Sequence, residues 1–164
     1  MSAWITPLEA LESARVPLPA SDVSLLPYLR AEQPWGLDIT LSVAVNGGEV
    51  SRPPFRLMSF SCAQQLAHLT SNGAFVRPGD LFASGTVSGP EPAQHGSMIE
   101  LSWGGERPIT LDDGSQRSFL ADGDSVVITA SAPGPDGSVV GFGEVAGRVL
   151  PGGPGDGGPG DGMG

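Results

Sequence analysis

Apolar and polar positions change their period several times along the chain. From Leu37 to Val45 the run Leu-Asp-Ile-Thr-Leu-Ser-Val-Ala-Val alternates apolar with small or polar residues, the signature of a half-buried strand. Asn46-Gly47 follows at once and predicts a tight hairpin turn. Phe55, Met58, Cys62, Leu66 and Leu69 then recur at three- and four-residue steps, between Pro53-Pro54 and Gly73. That spacing predicts one long helix packing through a single stripe. Beyond it the chain reads as strand and turn: Asp80–Val87, Ile99–Trp103, Pro108–Leu111, Ser125–Ser131 and Val139–Leu150. Asp113-Gly114, Asp122-Gly123 and Asp136-Gly137 supply turns between them. The expected fold is α+β, mostly antiparallel, with one helix on a sheet that is rolled or folded into a sandwich.

The two ends follow other patterns. Residues 1–36 are punctuated by Pro7, Pro17, Pro19, Pro27 and Pro34, which leave room only for an extended Trp4–Thr6 and a helical turn from Leu8 to Glu12. Residues 151–164 hold no aromatic or branched aliphatic side chain to offset the entropy of ordering, and are expected to form a disordered tail. Residues 1–150 then form one domain, a size that suits the 164-residue chain.

A hydrophobic content of 39% and a mean hydropathy of +0.02 supply enough apolar material for a core. No apolar run is long enough to span a membrane, and the N-terminus has neither a basic start nor an apolar stretch, which predicts a cytoplasmic protein. A net charge of −10, with eight thinly spread Lys and Arg, argues against a nucleic-acid partner. Cys62 stands alone on the expected helix stripe and reads as a core filler. His68 points away from that stripe and His95 sits in a Pro- and Gly-flanked loop, so both read as solvent-facing. Asp112, Asp113, Asp122 and Asp124 read as turn carboxylates, since no calcium-loop spacing surrounds them. Gly85-Thr86-Val87-Ser88-Gly89 lacks the Lys and helix pattern of a phosphate loop. By itself this pattern reaches only an acidic, mostly β domain.

Longer motifs add more. Gln64-Gln65-Leu66-Ala67-His68, Arg77-Pro78-Gly79-Asp80-Leu81, Ala83-Ser84-Gly85-Thr86-Val87-Ser88-Gly89-Pro90-Glu91-Pro92 and Gly96-Ser97-Met98-Ile99-Glu100-Leu101-Ser102-Trp103 occur in this order. Asp122-Gly123-Asp124, Gly141-Phe142-Gly143-Glu144 and Gly147-Arg148-Val149-Leu150-Pro151 continue the series. Together they resemble the C-terminal part of the fumarylacetoacetase family across roughly residues 2–151. The resemblance implies a β-roll fold, a homodimer, and hydrolysis of the carbon–carbon bond of 4-fumarylacetoacetate to fumarate and acetoacetate in tyrosine breakdown.

By resemblance, Glu100 matches the carboxylate that orients a catalytic histidine, and Thr86 matches a substrate-binding hydroxyl. The family's Ca²⁺ or Mg²⁺ ligands, its histidine base, the oxyanion-stabilising Arg and Lys and the substrate tyrosines all precede the matched stretch. No metal ligand is therefore expected in this chain, and the chain alone is expected to be inactive. Two other readings stay open: a non-catalytic β-roll module that binds a partner or small acid, and another β-diketone or acylpyruvate hydrolase.

Overall fold

The computed structural model describes residues 1–32 and 34–152, so nearly all of the Gly- and Pro-rich tail expected at 151–164 lies outside the described residues. The chain mixes helical and strand segments, and every strand pair is antiparallel. The largest sheet has four strands in the order β4 (Gly48–Ser51), β3 (Thr40–Val45), β7 (Ser125–Pro133) and β8 (Val139–Arg148). Two small sheets flank it. One pairs β1 (Arg15–Pro17) with β2 (Trp35–Leu37), the other β5 (Ile109–Thr110) with β6 (Gln116–Arg117).

The central sheet follows its sequence signals closely. Asn46 and Gly47 both take positive φ, 51° and 89°, the conformation that makes Asn-Gly the favoured two-residue connection between β3 and β4. Asp136 and Gly137, at 54° and 76°, likewise turn the chain between β7 and β8. The alternation from Leu37 to Val45 divides into two strands, because Asp38 and Ile39 break out of the ladder between β2 and β3. The N-terminal helical turn is a 3-10 helix over Leu8–Ala14. It buries Leu11 and Ala14 against Leu37 and Ala132, with Trp35, Ile39, Phe55 and Phe142 packed around them.

The long helix does not form. Phe55–Leu57 is a single 3-10 turn, Met58 is extended, and α1 covers only Cys62–Leu69. Local capping outweighs the apolar stripe. Ser61 accepts a hydrogen bond from the Gln64 backbone N–H while the Gln64 side chain accepts one from the Ser61 N–H, a reciprocal capping box that sets the helix start at Cys62. The buried side of α1 is also different from the expected one. Gln64 is buried because its amide also donates to the Leu29 carbonyl at 2.9 Å, whereas Cys62 is exposed and so is not a core filler.

Two expected strands are absent as well. Residues 80–89 have no regular structure, and residues 80–86 are exposed. Ile99–Trp103 is not a strand: α2 runs over Met98–Leu101, started by Ser97, whose hydroxyl accepts from the Glu100 N–H. The Ser-x-x-Glu spacing of Ser97 and Glu100 carries that signal, and it outweighs the apolar Met98-Ile99 pair.

Candidate active site

Glu100 sits on the short helix α2, next to a loop whose course is fixed by backbone contacts. The Ser51 hydroxyl donates to the His95 carbonyl at 2.5 Å, the Arg52 N–H donates to the Ala93 carbonyl at 2.7 Å, and the Gly89 N–H donates to the Gln94 carbonyl at 3.0 Å. The first two tie residues 93–95 to the end of β4, and the third closes the loop on itself. Gly96 then passes so close to the preceding segment that a Cβ there would lie 1.9 Å from the Val87 carbonyl oxygen and 3.0 Å from the Thr86 Cγ2. Only glycine permits that approach. It brings the Thr86–Ser88 stretch to the base of α2.

Glu100 is held by one of its two oxygens. Ser97 Oγ donates to Glu100 Oε2 at 2.5 Å and Ser88 Oγ donates to the same oxygen at 2.9 Å. The Gly96 N–H donates to Ser88 Oγ at 3.0 Å, so an amide, a hydroxyl and a carboxylate form a polarised chain. No hydrogen bond among the described residues reaches Oε1. The Ser97 hydroxyl is the main cause that holds the Glu100 carboxyl below the usual range, against partial burial, with Ser88 and the nearby His95 adding to it. A fixed, ionised carboxylate with one unused oxygen can orient an imidazole N–H and stabilise the imidazolium it becomes.

Glu100 lines an open cavity of about 330 Å³ with His95, Ile99, Trp103 and Gly104. His95 is half-buried there and is not the solvent-facing loop residue expected, because the bonds to β4 turn its segment in against the sheet. Trp103 takes a φ of +50°, which an L-residue adopts only at a cost, and the Arg107 guanidinium lies 4.9 Å from its ring centroid. Thr86 is exposed, its hydroxyl makes no hydrogen bond among the described residues, and it is not on the wall of the Glu100 cavity. The two expected site residues thus meet through Gly96 and not directly. His68 is exposed, as expected, and borders a separate apolar cavity with Leu29 and Phe60.

Spacing had marked neither Ser88, Ser97 nor His95 as a functional residue. The Ser-x-x-Glu capping pattern was the one signal that could have found Ser97. The carboxylates assigned to turns divide in two. Asp112, Asp113 and Asp122 are exposed. Asp124 is 3% exposed and holds a different role: it accepts from the Arg117 guanidinium at 2.9 Å, from Asn46 Nδ2 at 2.8 Å and from the Ala121 N–H at 2.8 Å. No group of three or more His, Cys, Asp or Glu side chains comes together among the described residues, so these residues do not fit a divalent cation. Among them, too, no helix is long and apolar enough to cross a membrane.

The family model described as "Fumarylacetoacetate (FAA) hydrolase C-terminal" matches residues 1–150. The chain is 48% identical over 157 residues to the fumarylacetoacetase of Homo sapiens, with 92% of this chain and 37% of that one covered. It is 41% identical over 158 residues to that of Caenorhabditis elegans, covering 92% and 37%, and 39% identical over 160 residues to that of Arabidopsis thaliana, covering 94% and 38%. The chain therefore spans a little over a third of the length of these relatives. A family model that matches residues 1–150, together with relatives 39–48% identical over nearly the whole chain, means that this chain belongs to the fumarylacetoacetate hydrolase family, in its C-terminal part.

Proposed function

We propose that this chain forms one wall of a fumarylacetoacetase active site, in which Glu100 orients an imidazole base and Thr86 holds the substrate. The observation that carries this reading is the asymmetric anchoring of Glu100: Oε2 is bound by Ser88 and Ser97, and Oε1 is left for an incoming N–H. In the reaction the oriented imidazole takes a proton from water, and the resulting hydroxide adds to the ketone of 4-fumarylacetoacetate. The carbon–carbon bond then breaks toward acetoacetate, whose carbanion is reprotonated, and the added oxygen becomes part of the fumarate carboxylate. Glu100 never gives up its own charge in this sequence.

The finer parts of the reading rest on the family. The base, and the calcium or magnesium ion with its carboxylates, belong to the part of the relatives that this chain does not match. A homodimer in the cytoplasm, with the four-stranded sheet as part of a β-roll, completes the proposal. Exposed apolar side chains, among them Phe75, Leu81 and Phe82, support a partner surface over residues 75–82.

A chimera tests it. Residues 1–150 replace the corresponding stretch of the human relative, and hydrolysis of 4-fumarylacetoacetate is followed by absorbance. The chimera is expected to turn over substrate, Glu100→Gln to lower kcat by about 10²- to 10⁴-fold, and Thr86→Val to raise KM by about tenfold. A folded, dimeric chimera whose kcat is indifferent to Glu100→Gln sinks the assignment.

A further inference from the structure

Ser88 and Ser97 both reach Glu100 Oε2, but the fold supplies them for different reasons. Ser97 lies three residues away, starts α2 by accepting the Glu100 N–H, and serves the helix whatever Glu100 does. Ser88 is twelve residues away and belongs to no helix or strand. It meets Glu100 only because Gly96 passes so close to Val87 that a Cβ there would lie 1.9 Å from the Val87 carbonyl oxygen. A serine hydroxyl has one proton and two lone pairs. The Gly96 N–H can only donate, so it occupies a lone pair of Ser88 Oγ and leaves the single proton for Glu100 Oε2 at 2.9 Å. The hydroxyl is therefore pinned at both ends. One donor alone would let the carboxylate swing about the hydrogen bond. A second donor on the same oxygen, from outside α2, restricts that swing and fixes where Oε1 points.

We propose that Ser88 is a positioning residue of the hydrolysis: its hydroxyl, aimed by the Gly96 amide, fixes the direction in which Glu100 Oε1 meets the imidazole base. The inference rests on the proposed hydrolase reading and adds to it a group that acts through Glu100 and not on the substrate. Ser88 also joins the two residues of that reading. It stands two positions after Thr86 on one stretch of backbone, so the segment that holds the substrate also steadies the carboxylate that orients the base. The charge of Glu100 depends on the same contacts. Ser97 lowers its pKa most, partial burial opposes that, and Ser88 and then the neighbouring His95 lower it further. A hydrogen bond donated to a carboxylate favours the ionised form, so removing the Ser88 hydroxyl raises the Glu100 pKa.

Two measurements test it. In the 164-residue chain carrying ¹³C-labelled glutamate, NMR follows the Glu100 carboxyl over the pH range in which the amide spectrum stays that of the folded protein. Ser88→Ala is expected to raise the midpoint of that carboxyl and to leave the amides of β3 and β7 in place. In the active chimera, Ser88→Ala is expected to lower kcat by about 10- to 100-fold with KM within about twofold. Placed on Glu100→Gln, the same substitution is expected to cost less than about twofold, because a residue that acts through Glu100 has nothing left to position. An equal kcat loss in both backgrounds makes Ser88 structural and overturns the proposal. So does a Glu100 carboxyl that Ser88→Ala leaves unmoved, or a Ser88→Ala chain that has lost its β3 and β7 amides. An active chimera that needs Glu100 but tolerates Ser88→Ala removes this inference alone. A folded chimera indifferent to Glu100→Gln removes the hydrolase reading and the role of Ser88 together.

Discussion

The central sheet and the segment from Ala74 to Thr86 are held by opposite means. In the sheet, β3 and β7 pair over six residues, and both also pair outward with β4 and β8. Asn46 and Asp124 then join the hairpin to the start of β7 through side chains 78 residues apart in sequence. Ala74–Thr86 has no ladder at all, and its local bonds are turns such as Asp80 N–H to the Arg77 carbonyl. Yet that stretch carries Arg77–Leu81 and the start of Ala83–Pro92, two of the motifs by which the chain resembles its family. Sequence agreement and structural support are therefore different properties here. The sheet motifs specify a fold, whereas Arg77–Thr86 presents side chains such as Leu81, Phe82 and Thr86 to whatever lies across from them.

Hydrogen exchange gives the largest expected contrast. The amides of β3 and β7 open only with the sheet, so they are expected to be protected by about 10³-fold or more, whereas those from Phe75 to Thr86 exchange at close to free-peptide rates. Slow exchange across Leu81–Ser84 in the isolated chain would remove the distinction between the two regions.

Asp124 comes next. Its carboxyl lies well below the usual carboxylate range, chiefly because of the Arg117 guanidinium, with the Ala121 N–H and Asn46 adding to it. A carboxyl depressed in the folded state stabilises the fold above the unfolded pKa of about 4, and that stability is lost as pH falls through the folded value. The wild-type chain is therefore expected to lose Tm steadily below about pH 4. Asp124→Ala removes a buried carboxylate that binds the half-buried Arg117 guanidinium, Asn46 and the Ala121 N–H, and is expected to lower Tm at pH 7 by about 5 °C or more, and to flatten that acid limb. Phe82→Ser, on the exposed segment, is expected to shift Tm by less than about 1 °C. Calorimetry of the three proteins between pH 3 and pH 7 checks both statements.

How much of this was legible in the sequence depends on whether the deciding interaction was local. Asn46-Gly47 and Asp136-Gly137 specify their turns by backbone conformation alone, and the sheet between them follows. Asp124 did not announce itself, because its partners Asn46 and Arg117 are set by tertiary contact and an Asp-Gly-Asp run looks like turn chemistry. The helix over 55–69 fails for a local reason: the Ser61–Gln64 capping box lies inside the apolar spacing and starts the helix at Cys62. At the site, Glu100 was recognised by resemblance, but its anchoring by Ser88 and its neighbour His95 depend on the close pass of Gly96 against Val87, which no spacing rule contains.

Two glycines allow the smallest and most direct test of the contrast. Gly47 and Gly85 have almost the same backbone, φ of 89° and 87°, and a Cβ at either would meet nothing within 4 Å. Alanine is therefore strained to a similar degree at both positions, by about 1 kcal/mol, and steric fit does not distinguish them. What differs is the coupling of each site to the cooperative unit. The Gly47 turn sets the register of β3 on β4, so Gly47→Ala is expected to cost about 1 kcal/mol of global stability by urea denaturation. Gly85 lies in a segment that opens without the sheet, so its strain is relieved locally and Gly85→Ala is expected to leave the midpoint unchanged. Equal losses at the two positions would mean that the Thr86 stretch folds with the sheet, and that the division between fold-specifying and surface-presenting motifs is wrong.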